Sequence, residues 1–134
     1  MALRSKLWIG IAVVATVAGM LVWWNQPRPL PPLLQKVTAG GGYWGACPPE
    51  AFEPLALSPE LNQRLAVQFP PGTTEEDLTR DLAAQGFRRL ENCKGDDSIR
   101  SMAFGTNAMR AAVFWKADEG RLVWTKGFVF YNSL

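Results

Sequence analysis

Few side chains in this sequence could carry reaction chemistry, and they fall into four small groups. Glu75, Glu76 and Asp77 are consecutive carboxylates, Asp96 and Asp97 are adjacent and followed by Ser98, Arg88 and Arg89 are neighbours, and Cys47 and Cys93 are the two cysteines. Paired carboxylates could run general acid–base chemistry or hold a cation. Two arginines could grip a carboxylate or a phosphate. The 134 residues contain no histidine, which removes the commonest general base, the commonest metal ligand and every Ser-His or Cys-His arrangement. Asp96 and Asp97 lack the alternating spacing of a calcium-binding loop and read as a solvated turn. Glu75 to Asp77 stand where a helix begins, and negative charge there complements the helix dipole. Arg88 and Arg89, neighbours in a strand, point to opposite faces. The expectation is a non-enzymatic protein with no catalytic residue, no metal, no cofactor and no small-molecule substrate.

Neither cysteine has metal-ligand spacing around it. In an oxidising compartment Cys47 and Cys93 read as one disulfide, closing a loop of about 45 residues and contributing roughly 4 kcal/mol in the chain-entropy model. Two buried free thiols are the alternative. Arg4 and Lys6 account for two of the 14 basic residues, so beyond residue 24 the chain carries 12 basic against 12 acidic side chains. A formally neutral domain has no electrostatic footprint for nucleic acid, and no nucleic-acid partner is expected.

The elements that must position these groups begin with a membrane segment. Residues 7–24, LWIGIAVVATVAGMLVWW, run for 18 residues without a charge. As a helix this run spans roughly 27 Å, close to the hydrocarbon thickness of a bilayer. Trp8, Trp23 and Trp24 stand at its ends, where aromatic rings favour the membrane interface. A cleaved signal peptide is the competing reading, with Thr16-Val17-Ala18 as its site, but the apolar run continues past Ala18 and suits a retained anchor. The basic tail of residues 1–6 places the N-terminus in the cytoplasm and the rest across the membrane. A single-pass inner-membrane protein with its C-terminal domain in the periplasm is expected, in contact with lipid through residues 7–24.

Residues 25–45 read as a linker. Pro27, Pro29, Pro31 and Pro32 favour an extended spacer, and Gly40, Gly41, Gly42 and Gly45 mark loop. Residues 46–134 read as an α+β domain. Its first helix starts at Ser58 as N-cap, with Pro59 in the first turn and Leu61, Leu65 and Phe69 in one stripe. The stretch FPPGTTEEDLTRDLAAQGF, residues 69–87, spells a second helix. Thr73 and Glu76 have capping-box spacing, Leu78, Leu82 and Ala83 make a stripe, and Gly86 followed by Phe87 suits a Schellman ending.

Strands follow over residues 88–93, 109–116 and 121–131. A glycine-ended turn, ADEG, joins the last two, and Gly127 is read as a bulge or bend. Phe104, Phe114, Trp115, Trp124, Phe128 and Phe130 are expected on one large apolar face. Two helices on one face of a three-stranded or larger antiparallel sheet would bury both stripes. Tyr43, Trp44 and Tyr131 are candidates for a partner surface.

This element order, with FPPGTTEEDL and the closing DEGRLVW hairpin, resembles the SmpA/OmlA (BamE-like) domain over residues 58–131. Gly72, Thr73, Thr74 and Glu75 match the family's start of the second helix, and Asp118, Glu119, Gly120, Leu122 and Val123 match its hairpin. The resemblance implies a two-helix, antiparallel-sheet fold and a role in binding proteins of the bacterial envelope. No lipobox cysteine follows the apolar segment, which suits an inner-membrane anchor. The function expected is that of a binding or assembly subunit of an envelope or membrane complex. The alternative is an inhibitor or immunity protein covering a periplasmic enzyme or toxin.

Overall fold

The computed structural model describes residues 2–26, 29–39, 58–91, 93 and 96–131. The N-terminal apolar run forms one helix, α1 (Ala2–Trp24). Its stretch Arg4–Trp24 has a mean hydropathy of 2.0, is long and apolar enough to cross a membrane, and is 0% buried within the protein.

Two ten-residue helices, α2 (Pro59–Gln68) and α3 (Glu75–Ala84), precede a four-stranded sheet. The strands are β1 (Arg88–Arg89), β2 (Ile99–Gly105), β3 (Met109–Asp118) and β4 (Arg121–Tyr131), all antiparallel and in the order β1-β2-β3-β4. The architecture is α+β, as the sequence implies. β2 is the strand the sequence reading passes over. Its residues begin inside what reads as a turn, and the turn in fact closes at Ser98, one residue earlier. β1 is correspondingly short. Beyond it the chain stays beside β2 through bonds from Leu90 N to Ser101 O (3.0 Å) and Cys93 N to Ile99 O (3.5 Å).

The helix-facing side of the sheet carries Met102, Met109, Ala111, Val113, Trp115, Leu122 and Val129, and these pack with Leu61, Leu65 and Phe69 of α2 and Leu78 and Leu82 of α3. Side chains alternate along a strand, so the aromatic residues divide between the two faces. Phe104 and Trp115 belong to the helix-facing core, whereas Phe114, Trp124, Phe128 and Phe130 cluster on the other face. The single aromatic face expected from the sequence is therefore two. On the second face Phe114 and Phe128 meet edge to face at 5.5 Å, and Lys126 Nζ lies 5.2 Å from the Trp124 ring. Ile99, Ser101, Ala112 and Phe128 of that face are buried.

Residues 29–39 are not a bare spacer. Pro31, extended at φ −61° and ψ 155°, leads into a short 3-10 helix, Pro32–Leu34, with proline in its first turn. Leu33 and Leu34 are fully buried and Val37 nearly so. Polar bonds hold the segment on both helices. Leu33 N donates to Gln85 Oε1 (3.1 Å), Arg64 Nη1 donates to Leu33 O (2.8 Å), and Thr38 donates to both carboxylate oxygens of Glu60 (2.6 and 3.1 Å). The prolines set the backbone, but the leucine spacing decides where the segment goes, because burying each leucine gains about 1.5–3 kcal/mol.

Helix ends follow the sequence with two shifts. The N-cap of α3 is Thr74, which accepts from Asp77 N at 3.2 Å, while the Thr73 hydroxyl turns back to Pro70 O. Both threonines have the right chemistry, and tertiary bonding chooses between them: Thr73 O accepts from Leu122 N and Glu75 N donates to Gly120 O, so the β3–β4 hairpin sets where the helix begins. Ser58 occupies the α2 N-cap position, but its hydroxyl is fully buried, makes no cap bond and has no partner among the described residues. The end of α3 is a Schellman motif, with Phe87 N bonded to Leu82 O, Gly86 N to Ala83 O, and Gly86 at φ 92°.

Candidate functional site

A polar groove of about 480 Å³ lies where α3 begins, lined by Thr74, Glu75, Glu76, Thr79, Arg89, Arg100 and Gly120. Strand parity assembles it. Arg89 of β1 pairs with Met102 of β2, so Arg89 shares the helix-facing side with Met102. Arg100, two residues earlier on β2, shares that side too and pairs with Trp115 of β3. The hairpin brings Gly120 to the amide of Glu75 at 2.8 Å. Four separate elements thus meet around one carboxylate.

That carboxylate is Glu75, the first residue of α3. The indole N–H of the fully buried Trp115 donates to Glu75 Oε1 at 3.0 Å, and Arg100 Nη1 donates to the same oxygen as an ion pair. Burial pushes the Glu75 carboxyl up, but the bonds from Trp115 and Arg100 and the charges of Arg100 and Arg89 outweigh it and hold the carboxyl below its ordinary 4.5. An ionised, doubly bonded carboxylate is an anchor that ties α3 to the sheet. It is poorly placed to take up a proton near neutral pH.

Around this anchor the groove keeps charge in reserve. Arg89 and Glu76 are exposed, and among the described residues neither makes a side-chain hydrogen bond or ion pair. The Thr79 hydroxyl is spent within the helix on Glu75 O and Glu76 O. The arrangement can recognise a charged or polar group from outside. Among the described residues no three His, Cys, Asp or Glu side chains gather as metal ligands.

Of the residues singled out from the sequence, Glu75, Glu76 and Arg89 line this groove and the others do not. Cys47, Tyr43 and Trp44 lie outside the described residues. Cys93 is buried beside the start of β2 and is not a free thiol. Tyr131 is 58% exposed, and its hydroxyl donates to Val37 O at 2.9 Å. It pairs with Met109, whereas the hairpin end of β3 carries Asp118, so Tyr131 and the groove occupy opposite ends of the sheet. Asp96 closes a turn, accepting from Ser98 N at 3.0 Å and from the Ser98 hydroxyl. Arg88 and Arg89 do take opposite faces, as neighbours in a strand must.

Arg100 is the groove residue that sequence reasoning misses. With no strand read across residues 99–105, nothing marks it as lying on the face of Arg89. The alternation of Ile99, Ser101 and Ala103 with Arg100, Met102 and Phe104 was the available signal.

Compared with known proteins, the chain matches no family model, no curated protein and no solved structure.

Proposed function

We propose that this chain is a membrane-anchored, non-catalytic binding or assembly subunit of a bacterial envelope complex, with its α+β domain in the periplasm. The observation that carries the reading is the uncovered apolar helix: Arg4–Trp24 is 0% buried, and so apolar a surface needs a bilayer or another membrane helix to cover it. Arg4 and Lys6 ahead of the apolar run favour a cytoplasmic N-terminus. Buried, non-free Cys93 is in keeping with an oxidising compartment and with Cys47 as its partner.

Two helices followed by an antiparallel sheet is an arrangement that supports the SmpA/OmlA resemblance. That family likeness stays part of the proposal, and so does the binding role it carries. The charged side chains at the α3 groove also favour binding, because their one deeply held carboxylate is committed to the fold.

The test is purification of the full-length protein in mild detergent from its native host, with intact-mass analysis of the chain and identification of what accompanies it. Stoichiometric recovery with a membrane complex, with residues 7–24 retained, is expected. Recovery with one soluble enzyme or toxin would replace this reading by the inhibitor one. A mature chain beginning after Ala18 would remove the anchor and overturn the membrane assignment.

A further inference from the structure

We propose that the groove at the start of α3 receives a single carboxylate side chain, carried on an extended segment of a partner protein and gripped by Arg89 and Arg100. This deepens the binding role proposed above and rests on it.

Four observations converge on that ligand. First, the lining carries two carboxylates and two guanidinium groups, Glu75, Glu76, Arg89 and Arg100, and they pair only in part. Glu75 is answered by Arg100 and Trp115, which leaves Arg89, whose charge acts on Glu75 from further away, with no side-chain hydrogen bond or ion pair among the described residues. Arg100 stays 39% exposed and commits only Nη1 to Glu75, so among the described residues its remaining guanidinium donors meet no other acceptor. Two guanidinium groups two residues out of register on neighbouring strands suit one carboxylate.

Second, the opposite wall limits the ligand. Exposed Glu76 repels a run of negative charge, so a lone carboxylate flanked by neutral or basic groups fits both walls, and a polyanion or an anionic bilayer does not.

Third, the groove adjoins a sheet edge. Among the described residues β1 pairs only with β2, and its two residues form the outer strand, so an extended chain can run along it with an acidic side chain reaching Arg89.

Fourth, the groove lies at the other end of α3 from the residues that hold segment 29–39. The segment coming from α1 enters at the far end of α3, where Leu33 bonds to Gln85. Ten helical residues separate the two ends by about 15 Å, and no residue of 29–39 lines the groove.

Trp115 supplies the reporter, because its indole N–H shares Glu75 with Arg100. The full-length protein in non-ionic detergent micelles, labelled with 15N in its indoles, is titrated with N-acetylglutamic acid α-amide. The controls are the neutral N-acetylglutamine α-amide, inorganic phosphate and nanodiscs containing anionic lipid. Trp115→Phe assigns the signal.

A saturable shift of the Trp115 indole is expected with the glutamate probe and none with the glutamine probe. Arg89→Gln should weaken binding at least about tenfold, as expected for loss of a charge-assisted contact, while leaving the other indole signals in place. Glu76→Gln should tighten it. Absence of a saturable shift overturns the proposal, and so does an unchanged affinity in Arg89→Gln. Phosphate binding as tight as the carboxylate would show an unselective anion spot, and a shift with anionic nanodiscs alone would show a lipid contact; either overturns it. If the groove is wrong while the binding role is right, the Arg89→Gln protein still co-purifies with its complex.

Discussion

The side-chain amide of Asn62 pairs with the main chain of Gly127 in both directions: Asn62 Nδ2 donates to Gly127 O at 2.8 Å, and Gly127 N donates to Asn62 Oδ1 at 2.9 Å. The amide acts as a short substitute strand on the outer edge of β4, and Ser58 N adds a further bond to the same carbonyl at 3.2 Å. This contact explains the glycine. β4 pairs regularly there, Gly127 opposite Val113, and the register shift between β3 and β4 falls at Lys116/Ala117 instead. Gly127 is therefore neither bulge nor bend. It is the point where α2 rests on the sheet, and a Cβ there would stand 2.6 Å from Leu61.

Gly127→Ala should destabilise the domain by about 1–3 kcal/mol through overpacking against Leu61. Asn62→Ala should cost about 1–3 kcal/mol by leaving the strand's buried polar groups unpaired. The two changes share one contact, so their effects should not add. Urea unfolding of the single and double variants reads this. An unchanged midpoint in Gly127→Ala would mean that α2 does not sit this close to the sheet.

Residues 29–39 should behave as part of the folded unit. Leu34→Ala removes a fully buried side chain and should cost about 2–5 kcal/mol. A fragment that starts at residue 40 should unfold at lower denaturant than one that starts at residue 25. Equal stability of the two fragments would make the segment a passenger.

The acid limb of stability should depend on Glu75. Its folded-state carboxyl is held below the unfolded value of 4.5, so its contribution is fully present above that value and is lost as pH falls through the lower folded value. Glu60 and Asp96 are shifted the same way, chiefly by hydrogen bonds from Thr38 and Ser98. Glu75→Gln should therefore lower stability near neutral pH and flatten part of the acid limb without abolishing it. Denaturant midpoints measured across the acid range check this, and superimposable acid limbs for the two proteins would remove the role given to the Trp115–Glu75–Arg100 cluster.

The proposed Cys47–Cys93 disulfide predicts that neither thiol of the unreduced native protein reacts with maleimide. Cys93→Ser should lower stability by up to about 4 kcal/mol, the chain-entropy value for a loop of this length, and raise protease sensitivity. Free labelling of both thiols in the native state would disprove the pairing and weaken the periplasmic assignment with it.

What the sequence determined by itself is local. The apolar run of α1 is written in its composition. The Schellman ending of α3 is written in Gly86 and Phe87. The hairpin turn is written in Glu119 and Gly120, whose φ values of 49° and 75° are those of a two-residue turn that suits the strand twist. Each is decided by groups within a few residues of one another, and short-range bonding rules reach that far. The tertiary structure alone decided which aromatic residues share a face, that the proline-rich segment enters the core, that Gly127 serves α2, and that Arg89, Arg100, Glu75 and Trp115 meet. Those outcomes depend on pairing register and helix placement across tens of residues. A strand missed at Ile99–Gly105 hides Arg100, because shifting or omitting one strand changes which side chains point to the same side.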